Sequence, residues 1–286
     1  MAQNTANQQG IRGIIGRFKH SPLAIIGFIV VVLLILLAIF ADYVAPYHYA
    51  KQNLMMAYTE PCREFLFGTD EFGRDIFSRV IYGSRVSLFV GFIAVGIAII
   101  SGGFFGSIAG YYGGRLDNVI MRVMDVLLSV PSTLLAIAIA AALGPGLGNL
   151  MIAVGISTTP RYARIVRSSV LTLRGQEFIE AARAVGSGSG RIIIKHIIPN
   201  SLSPLIVQAT LGVASAILTA AGLSFIGLGI QPPVPEWGAM LSSGRTFIRD
   251  YPYMTMFPGL AIMITILALN FLGDGLRDAL DPKLKR

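Results

Sequence analysis

The sequence predicts an all-α membrane protein, a polytopic bundle of six transmembrane helices, and three observations carry that prediction. Of its 286 residues, 54% are hydrophobic and only 13% are charged, whereas a soluble domain carries roughly a quarter charged residues. The apolar residues are gathered into unbroken runs, and about 20 such residues in a helix cross a hydrocarbon core. The basic residues alternate between dense and sparse connections along the chain, the bias expected of a multi-pass protein.

The first run, Leu23 to Ala41, is charge-free over nineteen positions and predicts a span over about 23–43. It exceeds the roughly 7–15 apolar residues of a secretory signal and no small-x-small cleavage site follows, so it reads as a retained anchor. In the preceding N-terminal tail, residues 1–21, Ile11, Ile14, Ile15 and Phe18 share one helical face with Arg12, Arg17 and Lys19 interleaved. That pattern predicts a short helix lying in the membrane interface. Residues 22–286 are then one transmembrane unit without an internal repeat.

Val86 to Gly114 predicts a span over 86–112, and its glycines Gly91, Gly96, Gly102, Gly103, Gly106 and Gly110 predict close helix approach. Val126 to Pro160 is too long for one crossing. Its Gly-Pro-Gly-Leu-Gly break at Gly144 to Gly148 divides it into spans over 120–143 and 147–168. Ile197 to Pro235 holds a span over 205–230 between flanking prolines, and Tyr251 to Gly273 one over 253–273. In the long connection Asp42 to Arg85, Phe72, Ile76 and Val80 recur at helical spacing, which predicts a second interfacial helix.

The net charge of +8 follows topology rather than a nucleic-acid partner. Sixteen of the 23 Lys and Arg fall in the tails and in the connections around Arg115 to Arg122 and Arg161 to Lys195. Seven fall between Asp42 and Arg85 or between Glu236 and Asp250, where eight acidic residues offset them. This distribution predicts that both termini are cytoplasmic. Cys62 is the single cysteine, so no intrachain disulfide or thiolate cluster can form. His20, His48 and His196 lie in separate segments, which speaks against a metal site on this chain. No Gly-Lys pair occurs, so a P-loop is absent and any ATP chemistry would belong to a partner. No ionisable residue falls near the centre of a predicted span, which counts against a proton-coupled carrier. Nor do the spans hold a cluster of catalytic groups.

The segment Gln176 to Asn200, QEFIEAARAVGSGSGRIIIKHIIPN, is the most informative. Phe178, Ile179, Ala182 and Val185 form one apolar helical face, Gly186 ends that helix at positive φ, and a second apolar stretch runs from Ile192 to Ile198 until Pro199 ends it. A helix-turn-helix projecting into water marks a partner surface unless it packs back on its own bundle. Glu180-Ala181-Ala182, then Gly186, then His196-Ile197-Ile198-Pro199 resembles the EAA loop of ABC-importer permeases. Ile198 stands where that pattern usually has Leu, and His196 where it usually has Ile. The ending His-Ile-x-Pro-Asn resembles the dipeptide, oligopeptide and nickel branch. GTDEFGRDIFSRVIYGSRVSL from Gly68, GLSFIGLGIQPPVPEWGAML from Gly222 and FPGLAIMITILALNFLGDGLRDALDPKL from Phe257 are similar to blocks of the same branch.

The resemblance covers nearly the whole chain and implies a type I ABC-importer-like permease, the second-named subunit of a permease pair in a bacterial or archaeal cytoplasmic membrane. The implied partners are a homologous permease subunit, two ATP-binding subunits that carry ATP and Mg, an extracytoplasmic substrate-binding protein and membrane lipid. Glu180, Ala181, Ala182, Gly186, His196 and Pro199 are the implied ATPase-coupling residues. Gly68, Thr69, Asp70, Gly73, Arg74, Asp75 and Arg79 are the implied outer-face motif, set against the binding protein or the outer mouth, or serving only to pair with one another. The implied cargo is a dipeptide or oligopeptide, with a nickel complex or an ATP-independent carrier as alternatives. Ala220 departs from relatives expected to carry Glu there, and the substrate-binding residues stay unassigned.

Overall fold

A computed structural model describes Gly16, Phe18 and residues 21–280 of the chain. Among these residues the regular structure is helical, apart from one isolated antiparallel bridge between Thr69 and Asp75. The expected interfacial helix of the N-terminal tail lies outside the described residues except for Gly16 and Phe18. The Phe18 ring meets Phe28 edge-on, with centroids 6.3 Å apart.

Helix α1, Pro22–Ile39, starts where Ser21 accepts from the Ala24 N–H and Pro22 occupies the first turn. It buries only Ala24, Gly27, Val31 and Ala38, a narrow small-residue face. Leu23, Ile26, Phe28, Ile29 and Leu33 stay about half exposed. Such a helix needs lipid as its solvent, with small residues letting a neighbour's backbone come close. A short α2, Ala41–Val44, follows.

Helix α3, Ile76–Tyr112, has 37 residues, so at 1.5 Å per residue it is roughly 55 Å long and overreaches a core of about 30 Å. It begins ten residues before the predicted span. The separate interfacial helix expected around Phe72 is absent: Ile76 opens α3, and Phe72 lies in the turn before it. The cause is local, because Asp75 caps the Ser78 N–H at 2.8 Å and nothing between Ile76 and Val86 interrupts the helix.

The expected span over 120–143 is broken. Helix α4, Gly114–Ser129, and helix α5, Ser132–Leu143, meet at an angle of 91°, because Pro131 lacks an N–H and holds Val130 extended. Helix α6, Leu147–Leu173, has an apolar half ending at Pro160, followed by Arg161, Arg164 and Arg167. Between α6 and the remaining spans lie α7, Glu177–Ala184, α8, Ser189–Ile192, and α9, Ile198–Asn200. Helix α10 covers Leu202–Phe225, α11 Trp237–Gly244 and α12 Tyr253–Leu280. Both α10 and α12 are shifted from the predicted 205–230 and 253–273. Helix α10 stops before Gly227, whose φ is +86°, and α12 starts at the predicted Tyr253 but continues through Gly273 and Gly275 to Leu280. Four helices, α1, α3, α10 and α12, are long and apolar enough to cross a membrane, and the bent α4–α5 pair makes a fifth. The sixth expected crossing falls on α6, whose arginines leave its apolar half too short to qualify.

Helix α3 packs most extensively on α6, and glycines explain the closeness. A Cβ on Gly106 would lie 2.4 Å from the Ala163 carbonyl oxygen, one on Gly102 2.7 Å from the Tyr162 Cβ, and one on Gly110 2.8 Å from the Val170 Cβ. Gly91 faces Ile217 of α10 in the same manner, whereas Gly96 and Gly103 face open space. The predicted close approach thus belongs to four of the six glycines.

Candidate coupling site and the ionic cluster at the opposite end

The two segments singled out from sequence lie at the two ends of α3. At its C-terminal end, the Arg174 guanidinium donates to the Gly110 carbonyl at 3.2 Å, and Arg183 of α7 stacks over the Tyr111 ring at 5.4 Å. Helix α7 ends as its residues require. Gly186 takes φ +77°, its N–H donates to the Arg183 carbonyl at 2.9 Å, and the Ser187 N–H reaches back to Ala182 at 3.0 Å. This closing pattern needs a residue without a Cβ penalty at the left-handed position.

The apolar face expected from sequence divides in two. Ile179 and Ala182 are buried against the chain's own bundle, and Phe178 and Val185 are exposed, as are Glu180, Ala181 and Gly186. Helix α7 therefore packs back on the bundle and presents a surface at the same time. Behind it, Ile192 and Ile197 are buried while Ile194 and Ile198 are exposed. Pro199 does not end this stretch as expected. The chain widens to a π-turn over Ile193–Ile197 and stays helical through Asn200, which places Pro199 in the first turn of α9. There its missing N–H removes no bond the helix needs. His196 is partly buried, 6.4 Å from the Phe178 ring, and its carbonyl accepts from the Asn200 amide.

At the N-terminal end of α3 the motif Gly68 to Arg79 folds on itself. Thr69 accepts from the Thr59 N–H at 2.8 Å and donates to the Met56 carbonyl at 2.5 Å. Asp70 Oδ1 accepts from the Phe72 and Arg74 N–H groups, both at 2.9 Å, and Oδ2 takes the Arg74 Nε at 2.6 Å. Arg79 Nε lies 3.6 Å from the same oxygen, and its guanidinium donates to the Tyr49 and Pro233 carbonyls. Gly73 turns the loop at φ +66°, where a Cβ would run into the Asn53 carbonyl. Gly68 and Asp75 complete the ring, Gly68 accepting from the Ile76 N–H and Asp75 capping α3.

Arg74 and Arg79 are 3% and 5% exposed, so these are desolvated charges. Glu71, 3.5 Å from Arg74, is partly desolvated too, and burial pushes its carboxyl above the ordinary range. The cavity inside the cluster is only about 10 Å³, room for one water and no solute. Next to it, Trp237 is 1% exposed and donates its ring N–H to the Val80 carbonyl at 3.0 Å.

Residues 102–286 match the family model described as the binding-protein-dependent transport system inner membrane component, and residues 11–61 match the N-terminal transmembrane domain of oligopeptide transport permease C. The chain belongs to this inner-membrane permease family.

The permease is 54% identical over 269 residues to a dipeptide transport system permease protein of Alkalihalophilus pseudofirmus, covering 94% of this chain and 88% of the relative. It is 46% identical to a di/tripeptide transport system permease protein of Pseudomonas aeruginosa, covering 94% and 90%, and 47% identical to a glutathione transport system permease protein of Escherichia coli, covering 94% and 89%. Among solved structures, the MetNI methionine ABC transporter matches with a TM-score of 0.56 at 18% identity, covering 71% of the permease and 96% of that chain. An amino acid ABC transporter matches with a TM-score of 0.53 at 17% identity, covering 69% and 92%. These two likenesses establish the type I importer permease fold for this all-helical, multi-pass membrane protein.

Two further features of the permease escape sequence reasoning. The arginines of α6, read from sequence only as topology signals, form a row facing α4 and α10. Arg167 is paired bidentately with Asp117 at 2.5 and 2.6 Å, Arg164 meets Asp125 at 2.7 Å, and Arg161 meets the Gln208 amide oxygen at 3.1 Å. The spacing of three in α6 and of eight between Asp117 and Asp125 was the available signal. Glu236 is the second. Burial pushes its carboxyl up, while the Gly238 and Ala239 N–H groups, 3.0 and 2.9 Å away at the start of α11, pull the other way. Ala220 is buried in the main core among α10 neighbours, where a glutamate would need a partner, and Cys62 is exposed.

Proposed function

We propose that this permease is one half of the membrane pathway of an ATP-driven importer of dipeptides or oligopeptides. The observation that carries the reading is α7: anchored by Ile179 and Ala182, closed rigidly at Gly186, and exposed at Phe178, Glu180, Ala181 and Val185. A lever needs that combination, a face free to be gripped on a joint that does not yield. In this reading α7, both termini and the α6 arginines face the cytoplasm, which the basic-residue distribution supports. Two ATPase subunits bind ATP and Mg, and one of them grips α7 with Glu180 against a basic group. A homologous permease completes the pathway, and an extracytoplasmic binding protein delivers cargo. The peptide class rests on the names of the relatives, which this chain matches over 94% of its length.

Force on α7 enters the bundle through Arg183 on Tyr111 and Arg174 on Gly110, at the end of α3. Helix α3, roughly 55 Å long, carries it to the ionic cluster, which locks the far end of α3 to the 45–75 segment and to Pro233. We assign Gly68, Thr69, Asp70, Gly73, Arg74, Asp75 and Arg79 to that anchoring role rather than to direct solute contact. Switching a gate from 1:99 to 99:1 takes about 5.5 kcal/mol of differential binding, so both joints must hold several kcal/mol.

The test is peptide-stimulated ATP hydrolysis and uptake in liposomes with this chain, its genomic neighbours and a panel of dipeptides, longer peptides and nickel complexes. We expect peptide stimulation that Glu180→Arg and Gly186→Val abolish without loss of membrane insertion. Normal uptake in both variants would overturn the coupling role. Stimulation by nickel complexes alone would reassign the cargo, and uptake by this chain without ATP would establish a carrier.

A further inference from the structure

Arg161 is the one member of the α6 arginine row that meets no carboxylate among the described residues. Arg167 and Arg164 are matched by Asp117 and Asp125, but Arg161 receives only the neutral Gln208 oxygen at 3.1 Å. Both side chains line a groove of about 560 Å³ between α4, α6 and α10, with Leu128, Arg164, Ser168 and Pro204 around them. A volume of this size suits a small-molecule ligand. Arg161 lies midway along α6, directly after Pro160 at the end of its apolar half.

Packing does not account for its side chain. Arg161 is exposed to the groove, whereas Tyr162 beside it makes the buried contact with α10 through the Gln208 carbonyl at 3.0 Å. Gln208 engages one guanidinium nitrogen, and no further partner of that guanidinium is found among the described residues. A planar fork with free parallel donors matches a carboxylate, which accepts two such bonds at once. A neutral amide beside it adds a donor without cancelling the charge.

We propose that Arg161 and Gln208 form a carboxylate-selective station on the permeation path, taking the carboxylates of a peptide as it leaves the membrane pathway. The proposal rests on the peptide-importer reading above and adds to it the residue pair that discriminates cargo charge. Arg164 is held by Asp125 and so serves as a wall rather than as a second receptor. A peptide with an acidic side chain presents two carboxylates and gains most from the station. One with a lysine side chain gains least. Anionic lipid headgroups share the same chemistry and are the competing source of an anion here.

The experiment uses the complete importer in vesicles of phosphatidylcholine alone and of phosphatidylcholine with phosphatidylglycerol, with ATP-driven uptake of Ala-Glu, Ala-Ala and Ala-Lys measured for wild type, Arg161→Gln, Arg161→Glu and Arg161→Lys. A charge-assisted bond supports a change of about tenfold, so Arg161→Gln should lower the Ala-Glu to Ala-Lys uptake ratio about tenfold in both vesicle types. Arg161→Glu should lower it further, and Arg161→Lys, which keeps the charge but not the planar fork, should restore it only in part. Equal losses for all three peptides would overturn the proposal in favour of a structural role. A defect that appears only with phosphatidylglycerol, independent of peptide charge, would overturn it in favour of a lipid site. Absence of ATP-driven uptake of any peptide by wild type would remove the importer reading and this inference together.

Discussion

Replacing Asp70 by Asn isolates what the ionic cluster contributes. Its carboxylate lies 2.6 Å from Arg74 and 3.6 Å from Arg79, two arginines that are almost fully buried. The substitution keeps the shape and most backbone contacts of the Phe67 to Asp75 turn but removes the charge both guanidiniums share. Glu71 cannot replace it, because it touches only Arg74, at 3.5 Å, and burial already disfavours its ionised form. Breaking a buried pair by removing one partner costs about 3–5 kcal/mol. The exposed pair of Arg85 and Asp42, 3.0 Å apart with side chains 43% and 58% exposed, is screened by water and should contribute little. Trp237 is the only tryptophan and packs beside the cluster, so its fluorescence reports melting there in detergent or nanodiscs. At about 2–4 °C per kcal/mol for a chain somewhat smaller than this one, Asp70→Asn should melt on the order of 10 °C lower. Asp42→Asn should melt close to wild type, because solvent screens that pair. Equal melting of the two variants would refute the argument that burial makes this cluster structural.

Other expectations follow from the same geometry. Gly106→Ala forces a Cβ into the Ala163 carbonyl at 2.4 Å and should destabilise by about 1–3 kcal/mol through overpacking, whereas Gly103→Ala, facing open space, should be neutral or slightly stabilising; matching thermal stabilities of the two would discredit the α3–α6 contact. Burial raises the Glu236 carboxyl above its ordinary value of 4.5, so the folded chain retains that proton to higher pH than the unfolded chain. Its contribution to stability is complete below pH 4.5 and lost as pH rises through the folded value. Glu236→Gln should therefore flatten the decline in melting temperature above that pH, although loss of one helix-capping acceptor lowers the whole curve by about 1 kcal/mol. An unchanged pH slope would show that another group titrates there.

Composition and run length determined that this chain lives in lipid, because 54% apolar residues in uninterrupted stretches leave no soluble alternative. Local chemistry also made the end of α7 legible, since a glycine at a left-handed position is a property of the nearest few residues. The motif around Asp70 could be read as a set of charges, but not as a buried knot. Whether Arg74 and Arg79 meet water or the Tyr49 and Pro233 carbonyls depends on segments distant in sequence. Tertiary structure alone decided the 91° break at Pro131, since a proline within an apolar run is compatible with either a kinked span or two helices. It also decided which glycines carry contact: Gly102 and Gly103 are neighbours in sequence but one turns towards α6 and the other away. Sequence counted the α6 arginines as charges on one side of a membrane. Only the packing of α4 and α10 against α6 matched two of them with aspartates and left the third, Arg161, facing an open groove, because pairing is set by the helices that surround a charge and not by the residues beside it in the chain.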